Sequence, residues 1–221
     1  MTDSNCADCR PTLRALHRFA AERCRIIEQA MQSEQDPFIT RQVLVGNTLK
    51  FAEESLTGWV SGSHFELCVF VDPAEPLLFA YYDTRGDTTS RSMQGREQNP
   101  NFYVDKRYEV TKILQAPTSH PRVIPDTREE SASYVFTTDS QRKQVRSSVI
   151  LCLDLQRPFA LVVSSDQPHA FREAEVIGDP RSDVMPFISY IGDLVRYDLI
   201  DGNFVAQIRN FKPRLFSKAS R

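Results

Sequence analysis

The sequence predicts an α+β domain, a mainly antiparallel sheet with helices laid against it. Two observations carry that class. Apolar residues recur at helical spacing near both ends of the chain. Between them the period drops to two, in runs placed to pair as two hairpins. Hairpins at both ends of an antiparallel sheet, with helices to cover a face, build this class of domain.

Taken in order, residues 1–10 read as a flexible polar leader and residues 11–36 as an N-terminal helix with its exit. Pro11 and Thr12 open the helix, and Leu13, Leu16, Ala20, Ile27 and Met31 follow at helical spacing. Ser33 to Pro37 is a polar break. A second helix is expected from about Phe38 to Trp59, on a seam of Val45, Leu49, Ala52, Leu56 and Trp59. Gly46 weakens its middle and predicts a kink there. After Gly58 and Gly62 the pattern alternates: Phe65, Leu67, Val69 and Val71 interleave with Glu66, Cys68 and Phe70. Asp72-Pro73 turns the chain into a second strand, Leu77 to Tyr82.

Residues 84–101 are polar and read as a long loop, a kind of segment that in compact domains is functional or disordered. An aromatic cluster follows (Phe102, Tyr103, Tyr108), then a short helix over 108–115 and a short strand, Arg122 to Asp126. A second loop with a helical turn spans 128–144. Ser148–Leu155 and Phe159–Ser165 form the second hairpin, joined through Gln156-Arg157-Pro158. A terminal helix is expected over 183–201, with Asp183 as N-cap, Gly202 as stop and an apolar face of Val184, Phe187, Ile188, Ile191, Leu194 and Val195. Residues 37–202 thus make one domain. The tail, 203–221, holds five bases and no acid.

The bulk numbers exclude several classes. With 221 residues, 41% of them hydrophobic, the chain can bury a full core. A net charge of -2 is too small for disorder and lacks the basic surplus of a dedicated nucleic-acid binder. No signal-peptide pattern opens the sequence and no apolar run is long enough to span a bilayer, so no membrane partner is expected and the cytoplasm is the expected place. Cys6, Cys9, Cys24, Cys68 and Cys152 are odd in number and scattered, a poor disulfide framework that suits a reducing compartment.

The stretch Val145 to Phe171, VRSSVILCLDLQRPFALVVSSDQPHAF, resembles the closing part of GAF domains. It has a serine-led strand from Ser148, a short turn, a small residue opening the next strand, and a polar link to an aromatic. Ala160 stands where the family usually has glycine. Pro121 to Asp126, PRVIPD, is similar to the family's third strand and following aspartate. The resemblance covers about residues 40–200. It implies a GAF-like central antiparallel sheet, with N- and C-terminal helices packed on one face and a loop-covered pocket on the other. It also implies a sensory or regulatory domain that binds an unidentified small molecule, with a homodimer through the outer helices. The alternatives are a protein-interaction module with a degenerate pocket, whose partner would be lost on changing the outer helices, for instance at Leu49 or Ile191, and a thiol reductase of the methionine-sulfoxide type.

Read residue by residue, the chemistry is sparse. Residues 84–147 have no cysteine, which disfavours a covalent bilin, and no cofactor is expected. Cys68 and Cys152 lie in apolar strands with no basic neighbour, which reads as buried thiols rather than a reductase pair. Cys6 and Cys9 form a CxxC, but the local partners His17 and Cys24 sit seven residues apart on a helix, about 10.5 Å along its axis. One zinc cannot take both, so no metal is expected. No nucleophile elbow or phosphate loop is present, and no catalytic residue is assigned. The candidate ligand-binding residues are Tyr81, Phe102, Tyr103, Tyr108, Asp126, Tyr134, Phe136, Arg146 and Ser148. Aromatics with a polar tip suit a pocket for a flat ligand, and equally suit a filled core. Arg146 and Ser148 would supply hydrogen bonds or bind an anion. Asp126, Asp139, Asp154 and Asp166 stand at strand ends and turns, where aspartate is expected in any case.

Overall fold

The structure, a computed structural model, describes residues 9–32, 37–60, 62–71, 77–83, 107–129, 134–136, 139–171 and 183–200. Two long helices come first, α1 (Cys9–Gln32) and α2 (Pro37–Trp59). Strands β1 (Phe65–Val71) and β2 (Leu77–Asp83) follow, then α3 (Glu109–Gln115), β3 (Arg122–Ile124) and α4 (Asp139–Gln144). Strands β4 (Ser147–Cys152) and β5 (Phe159–Ser165) and helix α5 (Val184–Leu199) complete the order.

The strands make one five-stranded sheet, β2-β1-β5-β4-β3, in which every neighbouring pair is antiparallel. This is the α+β class expected from the two periodicities. The two hairpins, β1–β2 and β4–β5, are joined at the centre of the sheet by β1 and β5, with Val69 opposite Leu161. Neither hairpin could bury both its faces alone, and their union gives β1 and β5 seven buried residues each.

Register sorts the side chains into two layers, because successive residues of a strand face opposite ways. Leu67, Val69, Leu161, Val163, Val149 and Leu151 point to the layer that α2 and α5 cover, and nearly all are fully buried. At Gly192 in α5 a Cβ would lie 3.0 Å from a Leu153 methyl, so the helix backbone comes down close on this face. Phe51 stacks on Phe19 of α1 at 4.5 Å, and Trp59 meets Phe187 edge-on at 4.6 Å. Leu49 and Ile191, named for testing a partner surface, are at 0% exposure and are core residues. The helix-face positions open to a partner are others, among them Ile27 at 43% and Val43 at 45%.

Several local expectations also shift. Helix α1 starts at Cys9, so the last two residues of the expected leader are helical. Pro11 then falls in the first turn, where its missing N–H has no intrahelical partner to lose. Helix α2 runs unbroken through Gly46 and opens on Pro37. The β1–β2 ladder shifts register between Val69 and Phe70, which leaves Phe79 as the extra residue of a bulge. Its carbonyl accepts a hydrogen bond from Gln42 Nε2 at 2.8 Å, so α2 satisfies what the bulge unpairs. Gly62 takes φ 79° between α2 and β1, a left-handed conformation that a side chain would strain.

Candidate functional site

The second face of the sheet is built from the other half of each strand. Glu66, Cys68 and Phe70 of β1 lie opposite Ser164, Val162 and Ala160 of β5, and these lie opposite Ser148, Ile150 and Cys152 of β4. Helix α3, Tyr134 and Val135, and Gln141 of α4 lie over this face and line, with the sheet, a partly open cavity of about 40 Å³. By volume that is room for about three waters. The expected cover by loops is met here by α3, Tyr134 and Val135, and Gln141; residues 84–106 lie outside the described residues.

The cavity floor is apolar at Val162 and Ile150 and polar at one edge. Glu66 is 2% exposed, and the Cys68 thiol donates toward its carboxylate at 3.7 Å. Ser164 and Ser148 share a hydroxyl hydrogen bond of 3.2 Å, and Ser148 also donates to the Val163 carbonyl at 3.3 Å. Glu109 opens α3, where a carboxylate is favoured by the helix dipole. It takes a 2.6 Å contact from Lys112 Nζ and a 3.5 Å contact from Arg122 Nε. At the rim, Gln141 Nε2 donates to the Tyr134 hydroxyl at 3.3 Å, Tyr134 meets Phe136 edge-on at 5.0 Å, and Arg142 stands over the Phe136 ring. Two carboxylates and no lysine or arginine line the cavity among the described residues.

The residues picked from the sequence divide in three. Tyr108, the N-cap of α3, and Tyr134 line the cavity, and Phe136 supports Tyr134. Tyr81 pairs with Cys68 on the same layer, from the outer strand β2, and Ser148 lies beside the floor on β4, two residues from Ile150 and hydrogen-bonded to Ser164. Tyr82, the next residue along, faces the other way and lines the groove between α1 and α2. Asp126 and Arg146 belong to neither layer. They close the end of the β3–β4 pair, with Arg146 donating to both Asp126 oxygens at 2.7 and 3.3 Å. The Thr127 N–H and hydroxyl donate to the Arg146 and Val145 carbonyls in the same corner. Arg146 holds Asp126 below the usual carboxylate range, against the opposing effect of burial. Arg146, expected to supply hydrogen bonds or bind an anion, is engaged here by a carboxylate and is not among the cavity's lining residues. Phe102 and Tyr103 lie outside the described residues.

Sequence reasoning missed Glu66, Cys68, Glu109, Gln141 and Ser164. One signal was visible. A glutamate inside an otherwise apolar strand, FELCVFV, is costly unless it faces polar company.

Among the described cysteines there is no disulfide. Cys68 and Cys152 stand on strands separated by β5 and are offset by two residues in register, so at about 4.8 Å per strand and 3.3 Å per residue they are roughly 12 Å apart, beyond disulfide reach. Burial pushes the Cys152 thiol up, and its Sγ donates to the Asp154 carbonyl. Cys6 lies outside the described residues. Asp154 accepts the N–H groups of Gln156 and Arg157 and so closes the β4–β5 turn, as expected, whereas Asp166, just past β5, accepts from His64 N and ties the start of β1 to the end of β5. Among the described residues no helix is long and apolar enough to cross a membrane.

No family model matches the sequence, and no curated protein does. Among solved structures, the chain is similar to the phycoerythrobilin-bound GAF domain from a cyanobacterial phytochrome. The TM-score is 0.41, with 12% identity, over 84% of this chain and 92% of that one.

Proposed function

We propose that the chain is a GAF-like sensory or regulatory domain of the cytoplasm that binds a small molecule on the α3-covered face of its sheet and carries out no catalysis of its own. The observation that carries the reading is the cavity beneath α3, with its apolar floor and polar edge of Glu66 and Ser164. A packed core has no need of a buried carboxylate and paired hydroxyls on the same patch. In this reading the cavity of about 40 Å³ is the resting form. A ligand larger than a few waters enters when α3 and the Tyr134 segment move outward, and it shifts the population toward that open state. The raised Cys152 thiol and its distance from Cys68 speak against the thiol-reductase alternative.

Thermal shift against a metabolite library tests the proposal. At least one compound is expected to raise the melting temperature of the intact protein, and Val162→Phe, which fills the cavity, is expected to abolish that rise. A library without a stabilising compound would overturn it.

A second reading, a protein-interaction module with a closed pocket, is favoured by a different observation. Apolar side chains stand exposed on the outer helices, including Leu16 and Ile27 of α1 and Ile39 and Val43 of α2. A homodimer through these helices would cover them. Light scattering would then give a dimer mass for the native chain and a monomer for Ile27→Asp or Val43→Asp.

A further inference from the structure

We propose that Arg23 is a positional latch, which lets α1 dock only where the end of α5 meets the middle of α2. The docking face of α1 carries Phe19, Arg23 and Ile26, spaced by four and three residues and so aligned on one side of the helix. Phe19 and Ile26 are buried apolar anchors at 7% and 6% exposure. Between them, where an apolar residue would continue the seam, stands a guanidinium. Its Nη1 donates to Asp198 Oδ2 at 2.9 Å and to Thr48 Oγ1 at 3.0 Å, and its Nη2 donates to Asp198 Oδ1 at 2.5 Å. The Thr48 hydroxyl donates in turn to the Leu44 carbonyl at 3.2 Å. The side chain of Asp198 is 3% exposed and that of Arg23 is 17% exposed, and the guanidinium also lies over the Phe19 ring.

Three helices thus meet at one ion pair: α1 through Arg23, α2 through Thr48 and α5 through Asp198. The carboxylate sits in the last turn of α5, the negative end of the helix dipole, where a cation is favoured and an anion is not. The base of that turn, Arg196, lies instead toward Asp154, at 3.9 Å. Asp198 therefore depends on Arg23. A buried pair of this kind adds little stability over a well-packed apolar pair, yet losing one partner is severe. What it adds is geometry. Apolar surfaces can slide past each other, whereas the two-pronged fork fits its carboxylate in one arrangement. The position of the α5 end therefore decides whether α1 is held.

Hydrogen exchange on the full-length chain tests the latch. In Asp198→Asn, the amides of α1 are expected to exchange about a hundredfold faster, while β1 and β5 keep native protection. The double variant Arg23→Met with Asp198→Leu is expected to restore α1 protection, since it removes both charges together. Three results would overturn the proposal: unchanged α1 exchange in Asp198→Asn, equal acceleration in α1 and the sheet, or failure of the double variant to restore protection.

Discussion

The two faces of the sheet are made by the same five strands and differ in almost everything else. The face under α2 and α5 is dry and close-packed, with Leu67, Val69, Leu161 and Val163 all at 0% exposure. The face under α3 mixes Val162 and Ile150 with Glu66, Cys68 and Ser164, and keeps a cavity. Alternation delivers both sets from single runs of residues, so one strand supplies a core on one side and a candidate site on the other. The difference teaches where stability and function divide. Substitutions under α2 and α5 should read out as stability, and those under α3 should be milder and carry specificity.

The largest effect should come from Leu161→Ala, which opens a void in the closed layer. A loss of about 3 kcal/mol is expected from the urea midpoint, well above that of Val162→Ala beside the cavity. Equal losses would break the contrast between the faces. Gly192→Val is next. The 3.0 Å approach to Leu153 leaves no room for its methyls, and about 2 kcal/mol should be lost by thermal unfolding.

Asp126→Asn probes the corner where the sheet ends. Its ionised form is favoured in the folded state by Arg146, so the depressed pKa contributes stability above the unfolded carboxylate range and loses it as pH falls through the folded value. Urea unfolding from pH 6 to pH 3 should show a loss of about 1 kcal/mol in the variant at pH 6 and a shallower acid slope than in the native chain. The smallest change is Gly46→Ala. A Cβ there meets nothing within 4 Å, and the substitution should raise stability by several tenths of a kcal/mol, seen as a slightly higher melting temperature. A fall would mean that the groove between α1 and α2 needs the bare backbone.

Legibility of the site followed the same division. The strands were readable because period two is a local property, and Glu66 was readable as an oddity within one of them. The Arg146–Asp126 pair was not, since it joins residues 20 apart whose meeting depends on β3 lying against β4. Tyr81 was picked by its chemistry, and its neighbour Tyr82 faces the opposite layer, as adjacent strand residues must. Leu49 and Ile191 were chosen to test a partner surface, yet both are core, because a helical seam shows that one face is buried but not by what.

By itself, then, the sequence determined the class, the helices and strands in their order, the two hairpins and the apolar seams, all of which arise from spacing within short windows. Tertiary structure alone decided which hairpin edges joined, which layer each helix covered, that α3 and the Tyr134 segment would roof a cavity, and that Arg23 would meet Asp198 across 175 residues. Those outcomes depend on groups far apart in the chain desolvating one another, and no local pattern carries that free energy.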